Sequence, residues 1–144
     1  MRKILLTVLL AAPLQMTVAQ AFDSGNKASP QVVVTPLAST KVTADGQPIL
    51  LPQKSAQVLV STYDIPAGAT LPVHKHPFPR YAYVLTGTLQ VTNIETGKSE
   101  VYKAGDFIVE VVGHWHQGSN IGPAPIKLLV IDQVEEGTPN TVLR

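Results

Sequence analysis

Apolar side chains in this chain come in short runs rich in β-branched residues, each cut off by turn formers. The runs are VVVT (32–35), PILL (48–51), AQVLVSTYDI (56–65), ATLPVHKH (69–76), YAYVLTG (81–87), TLQVTNI (88–94), SEVYKA (99–104), DFIVEVV (106–112) and IKLLVIDQV (126–134). Between them stand Asp45-Gly46, Pro66-Ala67-Gly68, Gly87, Thr96-Gly97, Gly105, Gly113 and Gly122-Pro123. Runs of this length and spacing predict the strands of an all-β sandwich or barrel. In TLQVTNI, Leu89 and Val91 alternate with Thr88, Gln90 and Thr92, giving one buried and one wet face, as in antiparallel sheets. After residue 21 no stretch carries a capped 3.6-residue apolar period, so almost no helix is expected there. The expected fold class is all-β, a small antiparallel β-barrel or jelly roll.

The first 21 residues have a different pattern. Arg2 and Lys3 precede an apolar run from Ile4, and Ala19-Gln20-Ala21 closes the stretch. That order is the one of a secretory signal peptide cleaved after Ala21, and Pro13 and Gln15 interrupt the run too early for a membrane span. The remaining chain divides into an exposed leader with a first strand (22–45), a barrel (46–137) and a tail (138–144). Loss of Arg2 and Lys3 turns eleven basic residues into nine against ten acidic ones, a net charge of −1. Neither nucleic acid nor an anionic membrane surface finds a basic patch on such a chain. Cysteine is absent, which excludes thiol nucleophiles and thiolate metal sites. Export and 144 residues together predict one periplasmic or secreted domain, held without disulfides.

The chemistry is concentrated in four histidines, in two clusters: His74 with His76, and His114 with His116. Residues i and i+2 of a strand share a face and lie about 6.6 Å apart. Two imidazoles so placed can turn onto one ion through bonds of about 2.0–2.1 Å. No nucleophile elbow, phosphate-cradling loop or dinucleotide fingerprint occurs, which removes serine hydrolase, kinase and Rossmann readings.

Two longer patterns surround the histidines. Gly68-ATLPV-His74-Lys75-His76-PFP-Arg80-YAYVLT-Gly87 resembles the first motif of the cupin family, G-x5-H-x-H-x3-E-x6-G, with Arg80 in the glutamate place. Gly105-DFIVE-Val111-Val112-Gly113-HW-His116-QGS-Asn120 resembles the second, G-x5-P-x-G-x2-H-x3-N, with Val111 in the proline place. The resemblance implies a cupin barrel over about residues 46–134 and a divalent metal (Fe, Mn, Ni, Cu or Zn) on His74, His76 and His116. It also implies a small-molecule ligand or substrate, oxygenase, isomerase or decarboxylase chemistry if the protein is an enzyme, and a homodimer to which residues 32–51 contribute.

Arg80 complicates that inheritance. A divalent ion about 5 Å from a guanidinium is repelled by about 7 kcal/mol at an effective dielectric of about 20. Three outcomes remain open. Arg80 turns aside onto a carboxylate, with Glu110 the candidate partner, although strand alternation places Glu110 opposite the apolar Phe107, Val109 and Val111. An anionic substrate bridges the metal and the Arg80 fork. Or the metal site has decayed into a metal-free, non-catalytic pocket for a small anion. Tyr83 and Trp115 flank the clusters as candidate pocket walls, and His114 has no place in the motif.

Overall fold

The computed structural model describes residues 30–144. Residues 30–33 end an N-terminal unit, and Val34–Arg144 form a second, which carries every strand of the described residues. The leader expected at 1–21 lies outside the described residues.

The described residues contain no helix, only nine strands in two antiparallel sheets. They are β1 (Ala56–Ile65), β2 (His74–Lys75), β3 (Arg80–Thr86), β4 (Thr88–Asn93), β5 (Ser99–Lys103), β6 (Phe107–Val109), β7 (His116–Asn120), β8 (Ile126–Glu135) and β9 (Val142–Leu143). One sheet runs β1-β8-β3-β6 and the other β5-β4-β7-β2-β9. This is the expected all-β jelly roll, and its two faces close on Ala82, Val84, Leu89, Ile108, Ile126, Leu128 and Val130.

Strand period explains which residues face inward. In β8 the buried positions are Ile126, Leu128, Val130, Asp132 and Val134, every second residue. In β3 they are Arg80, Ala82 and Val84. Each row is therefore apolar except for one charged member, and the ladder sets those two members opposite each other, Arg80 against Asp132. In the second sheet the same ladder logic sets His74 against His116.

Several strand expectations change. VVVT (32–35) and PILL (48–51) lack strand partners; of these only Pro48 makes an isolated bridge, to Val42. β-branched composition favours a strand only where a neighbouring edge supplies hydrogen bonds and a face to pack on, and residues 30–42 are exposed. Conversely, HQGSN forms β7 although it is polar, because its inward positions are His116, Gly118 and Asn120. The 138–144 stretch is joined to the barrel, with Val142 and Leu143 laddered onto Lys75 and His74.

Gly87 makes the corner at which the chain leaves β3 for β4 and changes sheets. Its φ is +86°, and a Cβ there would stand 2.8 Å from Ile126 Cγ1 and 2.9 Å from Ile126 Cα. Gly97 also has positive φ (+73°) but has open space around it. Gly87→Ala should therefore destabilise the fold by about 3 kcal/mol or more, against about 1 kcal/mol for Gly97→Ala. Denaturant unfolding of the two variants checks this; equal losses would contradict it.

Candidate metal centre

The four residues that converge are His74, His76, Glu110 and His116, whose ligand atoms all lie within 4.8 Å of one another. His74 and His116 face each other across β2 and β7. His76 stands at the end of β2, where it bridges Val112. Glu110 leaves β6 just after its last residue, its N–H donating to the Arg80 carbonyl at 2.9 Å. The three imidazole centroids are 4.5–4.9 Å apart, and all three rings are buried.

The hydrogen bonds fix which nitrogen points inward. His74 Nδ1 is 2.7 Å from the Pro72 carbonyl, His76 Nδ1 2.5 Å from that of Asn140, and His116 Nδ1 2.9 Å from that of His114. A carbonyl oxygen can only accept, so each Nδ1 carries a proton and each neutral ring keeps its lone pair on Nε2. His76 Nε2 and His116 Nε2 stand 3.2 Å apart. The Glu110 carboxylate lies 3.1 Å from the first and 3.3 Å from the second. Acceptors packed this closely need a positive charge among them, either a proton or a metal cation.

The donor set fits a cation. Ligand atoms about 2.0–2.1 Å from one ion are separated by about 2.9–3.4 Å at tetrahedral or octahedral angles, which His76, His116 and Glu110 meet at 3.1–3.3 Å, while the set with His74 lies within 4.8 Å. Backbone carbonyls engaging the far ring nitrogens are the usual way of orienting ligating histidines. Three imidazoles with one carboxylate suit Zn, Fe, Mn, Ni or Cu alike.

Electrostatics agree. Burial alone would raise the Glu110 pKa, yet its contacts with His116 and His76 and the charge of Arg80 hold it well below the usual carboxylate range. Burial pushes the His74 pKa down to about 4, against the pull of its Pro72 bond. His116 is also opposed by burial, but its bond to Glu110 raises its pKa overall.

Arg80 is not among the converging atoms. Its Nε donates to Asp132 Oδ1 at 2.7 Å and its Nη2 to Asp132 Oδ2 at 3.0 Å, with a third bond from Nη2 to Thr141 Oγ1 at 3.1 Å. Burial opposes the guanidinium charge, and the Asp132 hydrogen bonds more than restore it. The expected Glu110 partnership is thus corrected: Asp132 takes Arg80, and Glu110 turns to the histidines. Glu110 shares the inward side with the buried core residue Ile108, whereas Phe107, expected on the buried face, is 38% exposed and stacks on Tyr81. Both faces of DFIVEVV are apolar, with Val109 and Val111 buried as well as Ile108, so alternation alone leaves the face of Glu110 open.

Tyr83 does not line the site. It alternates with the fully buried Ala82 and Val84 and so belongs to the other face of β3. Trp115 lies under Lys75 and Arg144, which sit 4.7 and 6.0 Å from its ring, and lines neither nearby cavity. His114 pairs with Glu95 at 2.8 Å, outside the cluster. Asp132 and Asn140 were missed by sequence reasoning. The signal for Asp132 was its place in the inward row of IKLLVIDQV; Asn140 gave none.

A cavity of about 20 Å³, room for about one water, is lined by His74, His116, Glu110 and Arg80, with Tyr63, Leu71, Leu128 and Val130 among its walls. A larger cleft of about 350 Å³ shares Val91 and His116 with it and carries Asp45, Glu95, Glu100 and Lys98.

Comparison with known proteins gives three findings. The family described as cupin domain matches residues 61–132. Among curated proteins there is no match. Among solved structures, the polyketide cyclase RemF from Streptomyces resistomycificus is similar at 18% identity and TM-score 0.52, over 67% of this chain and 70% of that one. The DMSP lyase DddQ from Ruegeria pomeroyi DSS-3 is similar at 24% and 0.52, over 60% of this chain and 42% of that one. Lactobacillus farciminis oxalate decarboxylase is similar at 21% and 0.51, over 60% and 26%. At these identities the likeness is one of fold.

The pKa directions predict how metal-free protein responds to pH. His74 is neutral in the fold down to about pH 4, while an unfolded histidine protonates near 6.5. Stability should therefore fall by about 2 kcal/mol as pH drops from 6.5 to 4.5. His116, with its raised pKa, contributes stability that is complete below pH 6.5 and is lost as pH rises through its folded value. Thermal unfolding of chelator-treated protein should show a maximum near pH 6.5, and His74→Gln should remove the acid-side slope. A wild-type curve flat from pH 6.5 to 4.5 would contradict this.

Proposed function

The chain belongs to the cupin family, and from that premise we propose that it is an exported, metal-dependent cupin whose centre, His74, His76, His116 and Glu110, acts on a small molecule. The observation carrying the proposal is the convergence of three lone-pair nitrogens and one carboxylate oxygen in a buried site. A divalent ion held there supplies Lewis acidity, and redox chemistry if it is Fe, Mn or Cu, to a small oxygen-bearing molecule. The neighbours' names, among them a cyclase, a lyase and a decarboxylase, leave the reaction class open, because one fold hosts many reactions. The leader pattern at residues 1–21 makes the periplasm the proposed compartment.

The chain's own residues have distinct tasks in this reading. The histidines offer Nε2, with Nδ1 tied to backbone carbonyls. Glu110 offsets one positive charge. Tyr63, Leu71, Leu128 and Val130 give the cavity mainly apolar walls, a low-dielectric surrounding that strengthens charge interactions within it. Arg80 keeps Nη1 free of carboxylate, 3.5 Å from His76 Nε2, available to donate to an oxygen of a bound molecule.

An anionic substrate clamped by the Arg80 fork loses its support, since Asp132 already fills that fork. Asp45, Glu95 and Glu100 against Lys98 in the adjoining cleft favour a neutral or cationic molecule instead. The metal-free alternative drew on an unpaired Arg80 charge, and the Asp132 pair removes that reason.

Elemental analysis tests the proposal. Wild-type protein should carry about one equivalent of metal after purification or reconstitution with Fe, Mn, Ni, Cu or Zn. Glu110→Gln should weaken the affinity by about a hundredfold or more, and His116→Ala should abolish stoichiometric binding. Wild type that retains none of the five metals would overturn it.

A further inference from the structure

Asn140 is 4% exposed and stands in an otherwise largely exposed C-terminal stretch. Burying an amide is costly unless its polar atoms are matched, and here they are matched by groups surrounding the metal centre. Its backbone carbonyl accepts the Nδ1 proton of His76 at 2.5 Å. Its side-chain nitrogen donates to Asp132 Oδ1 at 2.6 Å, and its side-chain oxygen accepts from Phe78 N–H at 2.9 Å. Asp132 is the carboxylate that holds Arg80, and Phe78 lies two residues beyond His76. One residue thereby ties together the orientation of a ligand ring, the chain beyond it and the partner of the neighbouring cation.

The next residues secure Asn140 in turn. Thr141 Oγ1 accepts from Arg80 Nη2 at 3.1 Å. Leu143 and Val142 ladder onto His74 and Lys75, and Arg144 N–H donates to the Val73 carbonyl at 3.1 Å.

We propose that Asn140, held by β9, is a positioning residue of the metal centre: it fixes His76 with its lone pair on Nε2 and keeps Asp132 on Arg80. For its effect on metal the proposal rests on the reading given under Proposed function; its effect on the His76 ring does not. Loss of the side chain leaves the Phe78 N–H without its acceptor and takes from Asp132 Oδ1 one of its two donors, Arg80 Nε being the other. The 140 carbonyl then moves from the His76 ring, and Asp132 from its place against the guanidinium. Outer hydrogen bonds of this kind are worth about 10–100-fold in metal affinity.

The test compares Asn140→Ala and the smaller change Asn140→Ser with Ile65→Ala, a core variant outside the site. Zn²⁺ affinity is measured by competition with a chromophoric chelator, and the His76 tautomer by ¹H–¹⁵N ring correlation in metal-free protein. Both Asn140 variants should bind Zn²⁺ about 10–100-fold more weakly and lose the single Nδ1–H form, while Ile65→Ala loses thermal stability but keeps both properties. An unchanged His76 tautomer in either folded Asn140 variant would overturn the proposal. So would an equal loss of affinity in Ile65→Ala. If wild type binds no Zn²⁺ or other metal, the metal reading fails, and the tautomer comparison still decides whether Asn140 positions the ring.

Discussion

A buried arginine beside a metal site is tolerable only if its charge is already committed, and the Arg80–Asp132 pair makes that commitment. The two residues are register partners in β3 and β8, so the ladder itself, with no flexible linker, brings the guanidinium and carboxylate together. Two parallel hydrogen bonds match the planar fork to the carboxylate. Desolvating both charges is expensive, and such pairs hold when geometry is good and the remaining donors are satisfied. Thr141 satisfies one of those donors, and Asn140 steadies the carboxylate.

That pairing determines the rest of the site. With Arg80 held by Asp132, Glu110 is free to serve the histidines. The carboxylate absent from the first motif is thus replaced by one from the second, at the end of β6. Charge balance changes accordingly: Arg80 and Asp132 cancel to first order, and a dication would meet the single negative charge of Glu110. The repulsion of about 7 kcal/mol expected from a bare guanidinium is offset by an anion in direct contact with it. Sheet geometry does the same for the ligands, since facing β2 with β7 sets His74 directly across from His116.

How much of this was legible in the sequence depended on whether a residue's partner could be inferred. The glycine-punctuated runs gave the barrel, because turn formers and period-2 burial are local properties. The spacing of the histidines singled out the positions that the ladder brings together. VVVT and PILL misled because β-branched composition says nothing about the presence of a neighbouring edge. β7 was hidden because its inward side is His116, Gly118 and Asn120; a Cβ on Gly118 would stand 3.3 and 3.4 Å from the ends of Leu71 and Leu89, so a small residue suits the packing without showing as an apolar period. The face taken by Glu110 stayed open because its run is apolar on both sides. Asp132 was visible in principle as the one charged member of an inward row. Asn140 was not, because its role comes wholly from tertiary contacts.

Anomalous diffraction at the absorption edge of the bound metal, in crystals of the loaded protein, locates the ion among these side chains directly. One peak should lie within bonding distance of Nε2 of His74, His76 and His116 and of a Glu110 carboxylate oxygen, with Arg80 still bidentate on Asp132. A peak elsewhere, or Glu110 swung onto Arg80 while the ion sits on histidines alone, would contradict it.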